Sequence, residues 1–163
     1  MAKSATSTIS FIPWAAPAFS LPSSDGTTVS LEGLKGTWCV LFFYPADDTE
    51  TCTKEACAFS EFSHEFKSIG VKLYGLSPDS LKSHDKFIHK YGLKMPLLSD
   101  ETTLTIVSFK AWIEKSLYGR TYMGVDRSTY IIDPAGMVRA EWRKVRTKGH
   151  VEAVLASVKG LMA

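Results

Sequence analysis

The positions of apolar and polar residues predict alternating strands and helices. Residues 38–44 form a continuous apolar run between Gly36 and Pro45, and its length and aromatic content favour a strand buried on both faces of a sheet. Shorter apolar runs predict further strands at residues 27–31, 71–76, 97–98, 128–133 and 137–142. The last two flank a tight turn, Pro134-Ala135-Gly136, so they are expected to pair as a hairpin.

Between these strands, apolar residues recur at the spacing of one helix face. The predicted helices cover residues 51–69, 78–91, 101–109 and 151–161. Pro78 is placed at the first position of the second helix, Ser99-Asp100 caps the third, and Gly70 and Gly92 end the first two. This alternation favours an α/β fold, with a central sheet and helices on both of its faces.

The length of the chain, 163 residues, is that of one ordinary domain. Residues 1–10 are polar and rich in Ser and Thr, which predicts a flexible N-terminal arm. Prolines forbid a helix over residues 11–21, so this segment is expected to run extended over the domain. The predicted organisation is an arm over residues 1–10 and a single domain over residues 11–163.

Composition narrows the classes of function. A net charge of +2 gives no electrostatic case for nucleic acid or an anionic membrane as a partner. No apolar run approaches the roughly 20 residues that span a bilayer. Three cysteines are too few for a secreted disulfide scaffold, and the N-terminal residues lack the apolar core of a secretory signal. We therefore expect a cytoplasmic protein whose thiols are reduced.

Residues 44–52 join the end of the buried strand to the start of a helix, and Cys52 lies at that helix start. Ligands of open α/β sheets bind beyond the carboxyl ends of the strands, and a helix N-terminus favours a thiolate over a thiol. Cys52 is therefore predicted to be a reactive cysteine, and the alternative is a buried cysteine that only packs. Cys39 lies inside the apolar strand and is predicted to be structural.

The residues around Cys52 resemble the peroxiredoxin family. Pro45, Thr49 and Cys52 fit its signature Pro-x-x-x-Thr-x-x-Cys, and Cys57, five positions later, fits the bacterioferritin-comigratory (peroxiredoxin Q) subfamily. The likeness continues at residues 16–19, 42–45, 53–57, 118–124 and 131–133, and at Arg127. The chain departs from the subfamily at Glu50-Thr51, where a pair such as Pro-Gly is common.

This resemblance implies a thioredoxin-like fold with a central mixed sheet, and a peroxidase that reduces hydrogen peroxide and organic hydroperoxides. It implies that Cys52 is the peroxidatic cysteine, oxidised to a sulfenic acid. Cys57 is then the resolving cysteine, which forms an intrasubunit disulfide with Cys52. Thioredoxin or a similar dithiol is implied as the reductant, without metal, flavin or haem. A monomer is expected, with a weak dimer as the alternative.

Three further residues belong to the implied site. Pro45 has no N–H group and is expected to shield the thiolate, while the Thr49 hydroxyl is expected to bind the peroxide. Arg127 is expected to stabilise both the thiolate and the charge that grows on the leaving oxygen. Arg120 is the alternative for this last role, and Arg127 is preferred because it directly precedes a predicted strand, as in the family.

Two other functions compete with this hypothesis. A binding module or holdase chaperone of the same fold would consume no peroxide, and a disulfide reductase is disfavoured because the chain lacks Cys-x-x-Cys. His64, His84, His89 and His150 carry no motif, so none is predicted to act as a general base. His64 and His89 are expected to face water.

Cys52 and Cys57 lie on one predicted helix, and helix geometry keeps them apart. At about 1.5 Å and 100° per residue, their Cα atoms are separated by roughly 7.5 Å along the axis and 140° around it. A disulfide requires Cα atoms within about 7 Å of each other and Cβ atoms that face one another. The segment from about Thr49 to Cys57 is therefore predicted to unwind when the two cysteines pair.

Overall fold

A computed structural model describes residues 11–163, so the predicted arm over residues 1–10 lies outside the described residues. The strands are β1 (Trp14–Ala15), β2 (Ser20–Pro22), β3 (Thr28–Ser30), β4 (Trp38–Phe43), β5 (Val71–Ser77), β6 (Leu97–Ser99), β7 (Trp112–Leu117), β8 (Arg120–Val125), β9 (Ser128–Ile132) and β10 (Met137–Trp142). The helices are α1 (Leu31–Leu34), α2 (Glu50–Glu61), α3 (Ser63–Ser68), α4 (Leu81–Tyr91), α5 (Leu104–Ser108) and α6 (His150–Met162). None of these helices is long and apolar enough to span a membrane.

A six-stranded sheet lies at the centre, in the order β1-β10-β9-β4-β5-β6. Strands β4, β5 and β6 are parallel, whereas β9 runs antiparallel to β4, β10 to β9, and β1 to β10. The extended N-terminal segment contributes β1 to this sheet and pairs β2 with β3 outside it. The mixed sheet and the helices around it confirm the predicted fold class.

Strand β4 divides the core into two layers. Its odd-numbered residues, such as Cys39, belong to a layer with α1 and α5, and its even-numbered residues, such as Phe42, belong to a layer with α2, α3, α4 and α6. Both residues are fully buried. Helices therefore cover both faces of β4, which explains why its sequence is continuously apolar rather than alternating.

The helix predicted over residues 51–69 is in fact two helices. The chain breaks at Phe62, with φ −95° and ψ 5°, between α2 and α3. The pattern could not detect this break, because Phe59 and Phe66 are seven positions apart and would share one face of a continuous helix as well. Helix α2 begins at Glu50 even though the chain departs from its subfamily there, and an acidic residue in the first turn suits the helix dipole.

The predicted helix start at Pro78 is wrong. Helix α4 begins at Leu81, and its N-cap Ser80 accepts a hydrogen bond from the Ser83 amide at 3.1 Å. Pro78 instead lies in a turn in which the Ser77 hydroxyl accepts from the Asp79 amide at 3.1 Å. Proline suits a tight turn as well as a first helical position, so its type alone could not distinguish them.

The third predicted helix is shorter than expected. The Asp100 carboxylate does cap it, since it accepts from the amides of Thr105 and Ile106 at 3.4 and 2.8 Å. However, α5 covers only Leu104–Ser108, because the residues directly after Asp100 form a turn. The sequence located the cap but not the turn between the cap and the helix.

Strands β7 and β8 form an additional hairpin that the apolar pattern did not predict. Its turn consists of Tyr118 and Gly119, both with positive φ, a geometry that Asn-Gly signals more strongly than Tyr-Gly. Exposed apolar residues, among them Leu117, Tyr122 and Met123, obscure the alternation. The hairpin is followed directly by Asp126 and Arg127 and then by β9, so Arg127 lies where the chain passes from the hairpin into the central sheet.

Candidate active site

Cys52 lies in the first turn of α2, just beyond the carboxyl end of β4. Thr49 is the N-cap of this helix, with an extended backbone at φ −88° and ψ 160°. Cys52 is 2% exposed and belongs to the same core layer as Phe42 and Tyr44. Free amide groups and the positive end of the helix dipole stabilise negative charge at such a position.

Arg127, the residue directly before β9, contacts the same sulfur. Its Nη2 donates to Cys52 Sγ at 3.2 Å, and its Nη1 donates to Glu55 Oε1 at 2.7 Å. The Arg127 side chain is 14% exposed, so water screens this charge only weakly. Arg120, the alternative arginine, is exposed at the start of β8. The structure therefore brings Arg127 to Cys52.

Glu55 is a further member of the site, which the sequence analysis missed. It lies one turn after Cys52 on α2 and is 1% exposed. Burial raises the pKa of Glu55 to about 7, although the nearby Arg127 charge acts in the opposite direction. Its Oε2 has no hydrogen-bond partner among the described residues. The three-residue spacing from Cys52, which places both side chains on one helix face, was the available signal.

Pro45 and Thr49 lie on the loop between β4 and α2. Pro45 is half-buried and Thr49 is exposed. The Thr49 hydroxyl donates to the Ala46 carbonyl oxygen at 3.2 Å, which leaves its own lone pairs available as acceptors. Among the described residues, Cys52 receives its side-chain hydrogen bond from Arg127 and not from Thr49.

Cys57 lies on a different side of α2 from Cys52. It is half-buried and lines a cavity of about 970 Å³ between α2, α3, β5 and the residues that follow α4. Burial raises the pKa of the Cys57 thiol. Both cysteines are free thiols, and α2 is continuous over both positions, so the structure does not bring them together.

Cys39 is fully buried in β4, as expected for a structural cysteine. Burial raises the pKa of its thiol well above the ordinary value.

Two basic residues from distant segments lie within electrostatic range of Arg127. Burial lowers the pKa of His150 to about 4, and the Arg127 charge adds to this effect. His150 Nε2 lies 2.8 Å from Thr129 Oγ1. The pKa of Lys115 is also lowered, mainly by burial and then by Arg127. Sequence reasoning missed both residues, because only the tertiary fold places them near Arg127.

The histidines divide into two pairs. His64 and His89 are exposed, as predicted, whereas His84 and His150 are buried. His84 belongs to a group with Asp47 and Asp79 whose potential metal-ligand atoms lie within 4.8 Å of one another. Both ring nitrogens of His84 already face oxygen acceptors, Asp47 Oδ2 at 2.8 Å and the Leu98 carbonyl at 2.9 Å. Hydrogen bonds within the protein therefore account for this group.

Comparison with known proteins places the chain in a family. Residues 13–141 match the AhpC/TSA family. The peroxiredoxin Bcp of Xanthomonas campestris is 42% identical over 146 residues, which cover 88% of this chain and 91% of that protein. The peroxiredoxin Bcp of Bacillus subtilis is 40% identical over 146 residues, covering 90% and 93% of the two chains.

Solved structures agree with the sequence comparison. A structure of Xanthomonas campestris peroxiredoxin Q matches with a TM-score of 0.83 and 42% identity, covering 87% of this chain and 90% of that one. A cysteine-to-serine mutant of Xylella fastidiosa PrxQ matches with a TM-score of 0.87 and 32% identity, covering 95% and 99%. The chain thus belongs to the AhpC/TSA family of thiol-dependent peroxidases, as a peroxiredoxin of the bacterioferritin-comigratory (peroxiredoxin Q) subfamily.

Proposed function

We propose that this peroxiredoxin reduces hydrogen peroxide and organic hydroperoxides at Cys52, that Cys57 resolves the oxidised form, and that a thioredoxin-type dithiol recycles it. The observation that carries the proposal is the 3.2 Å contact between Arg127 Nη2 and Cys52 Sγ at the N-terminus of α2. A fixed cation and a helix N-terminus at one buried sulfur favour a thiolate nucleophile. Alkyl peroxide reduction is also the subject of structures of a relative, the bacterioferritin comigratory protein of Xanthomonas campestris.

The first step converts the thiolate to a sulfenic acid. Cys52 sulfur attacks one peroxide oxygen, the O–O bond breaks, and the other oxygen leaves as hydroxide or alkoxide and takes up a proton. Arg127 stabilises the charge that grows on the leaving oxygen, which is the main source of acceleration in this scheme. The Thr49 hydroxyl accepts from the peroxide hydrogen, the amides of Thr51 and Cys52 add donors, and Pro45 keeps water from the sulfur.

The second step forms a disulfide and requires movement. The Cys57 sulfur attacks the Cys52 sulfur, and the hydroxyl group of the sulfenic acid leaves as water. Helix α2 is intact from Glu50 to Glu61, and helix geometry separates the two Cα atoms by more than a disulfide allows. The first turns of α2 must therefore unwind. Because burial raises the pKa of Cys57 in the folded state, this opening also favours its thiolate by exposing it to water.

A dithiol reductant then returns the enzyme to its starting state. One thiolate of the reductant attacks the Cys52–Cys57 disulfide, and its second thiol releases the mixed disulfide, so that the reductant becomes oxidised. All chemistry occurs within one subunit, which is consistent with a monomer. A compartment that keeps thioredoxin reduced is required, and we therefore place the protein in the cytoplasm.

Peroxide consumption by the purified, reduced protein tests this proposal. With thioredoxin, thioredoxin reductase and NADPH present, NADPH oxidation should depend on both peroxide and the protein. After one equivalent of peroxide, the intact mass of the wild-type protein should fall by two hydrogens, whereas Cys57→Ser protein should gain one oxygen. Cys52→Ser protein should show neither change. A wild-type protein that leaves peroxide unconsumed would instead be a binding module or a chaperone.

A further inference from the structure

A buried polar cluster forms around Asp47, which lies in the loop of residues 45–49. The carboxylate of Asp47, whose side chain is 4% exposed, accepts three hydrogen bonds. The donors are the Tyr44 hydroxyl at 2.6 Å, the Ser83 hydroxyl at 2.8 Å and His84 Nδ1 at 2.8 Å. Two of these donors belong to α4, so the cluster ties the loop before Cys52 to another helix.

The surroundings of His84 define its protons. The His84 side chain is fully buried, and its Nε2 lies 2.9 Å from the Leu98 carbonyl oxygen. A carbonyl oxygen only accepts, so Nε2 must carry a hydrogen. Without a proton between Nδ1 and Asp47 Oδ2, two lone pairs would face each other at 2.8 Å. A proton therefore lies between His84 Nδ1 and Asp47 Oδ2, and it joins the two side chains in one hydrogen bond.

A second carboxylate holds the backbone of the same loop. Asp79 Oδ2 accepts from the Asp47 amide at 2.8 Å and from the Ser77 hydroxyl at 2.6 Å. Asp79 and Asp47 are the carboxylates close to His84 in this group, and Tyr44, which directly follows β4, donates to Asp47. Asp47 is thus held through its side chain by α4 and through its amide by Asp79, in the turn after β5.

Asp48 is also anchored to α4, whereas Thr49 is not. Asp48 has a strained left-handed backbone with φ 61°, and its carboxylate accepts from Lys90 Nζ at 2.8 Å and the Tyr91 hydroxyl at 2.6 Å. The Thr49 hydroxyl, in contrast, bonds only within its own loop, to Ala46. Attachment to α4 therefore ends at Asp48, one residue before the N-cap of α2.

We propose that the Asp47–His84 hydrogen bond is an anchor that positions the loop carrying Pro45 and Thr49, and that it fixes the boundary at which opening of α2 stops. The inference rests on the proposed role of Cys52. His84 touches neither peroxide nor sulfur, so it is a positioning residue. While α2 unwinds to let the cysteines pair, the anchor keeps the preceding loop in place, and the site can reassemble against it after reduction.

Nuclear magnetic resonance of the wild-type protein tests the anchor without a mutation. In reduced protein, the proton between His84 Nδ1 and Asp47 should give a resolved ¹H signal that exchanges slowly with water. The Asp47 amide should resist hydrogen exchange equally in reduced and oxidised protein, whereas amides of residues 50–57 should exchange faster after oxidation. Absence of that slowly exchanging His84 proton, or loss of protection of the Asp47 amide on oxidation, would overturn the proposal.

Two substitutions of His84 separate positioning from mere packing. In His84→Asn, the side-chain amide replaces Nδ1 as donor to Asp47. In His84→Gln, the side-chain amide replaces Nε2 as donor to the Leu98 carbonyl, and Asp47 loses the donor at position 84. Displacing a catalytic loop by about 1 Å can cost on the order of 100-fold in rate, so His84→Gln should slow Cys52 oxidation by roughly that factor and His84→Asn by less than about threefold. His89→Gln, at an exposed position of the same helix, is the matched control.

Equal rates for the two His84 variants would refute the anchor, whether both are fast or both are slow. A wild-type protein that consumes no peroxide would refute the proposed function instead. The slowly exchanging His84 proton and the protection of the Asp47 amide would then decide the anchor by themselves.

Discussion

Replacing Arg127 by alanine removes the one cation that contacts the Cys52 sulfur among the described residues. The side chain donates to Cys52 Sγ at 3.2 Å and to Glu55 Oε1 at 2.7 Å, and both of these partners are nearly fully buried. The substitution therefore makes the thiolate less favourable and withdraws a donor from the leaving oxygen. It also leaves the buried Glu55 carboxyl without its partner.

The size of the effect follows from the geometry. At 3.2 Å, Coulomb's law gives about 5 kcal/mol between unit charges at an effective dielectric constant of about 20. Only the part of this interaction energy that is gained between the ground state and the transition state accelerates the reaction. Loss of one preorganised donor of this kind costs about 2.7–4 kcal/mol, so Arg127→Ala should lower the rate constant for Cys52 oxidation by about 10²- to 10³-fold.

Stopped-flow competition with a haem peroxidase for limiting peroxide measures this rate constant directly. Arg120→Ala is the matched control, because Arg120 is exposed, and its rate should stay within about twofold of the wild type. The double variant Arg127→Ala/Glu55→Gln removes the unpaired buried carboxylate, so its stability should recover while its rate remains low. A lower rate for Arg120→Ala than for Arg127→Ala, or a wild-type rate for the double variant, would contradict the role assigned to Arg127.

Three other measurements address resolution, buried charge and motion. Cys57→Ser should keep the first oxidation but lose thioredoxin-supported turnover in the NADPH assay, whereas Cys39→Ser should keep both, and normal turnover of the former would contradict the role of Cys57. Burial raises the pKa of Glu55 from 4.5 to about 7 and lowers the pKa of His150 from 6.5 to about 4. With rising pH, Glu55 therefore lowers the free energy of unfolding and His150 raises it. The two effects nearly cancel in the pH range that both shifts share, from 4.5 to 6.5. In urea titrations, the free energy of unfolding of Glu55→Gln should therefore fall by up to about 1.4 kcal/mol per pH unit as the pH is lowered through this range. That of His150→Asn should rise by a similar amount. Slopes of equal sign for the two variants would contradict this. Oxidation should speed amide exchange in residues 49–60 but not in β4, and equal exchange in both redox states would refute unwinding.

The features that could be predicted from the sequence depend on residues that lie close together in the chain. The apolar run of β4 predicted a strand covered on both faces, and the Pro-x-x-x-Thr-x-x-Cys spacing identified Cys52 and its loop. The helix period placed Cys52 and Cys57 on one helix, and α2 is continuous over both. In each case the determining contacts lie within one or two turns of the chain, so local spacing is sufficient.

Contacts between residues far apart in the chain could not be predicted from local spacing. Arg127 lies 75 positions from Cys52, and His84 lies 37 positions from Asp47, so no local period relates either pair. The family resemblance supplied Arg127, and the exposure of His89 was predicted, but no signal marked His84, five positions earlier on the same helix, as buried. Burial, which makes His84 a fixed partner for Asp47 and raises the pKa of Glu55, arises only when separate strands and helices pack together.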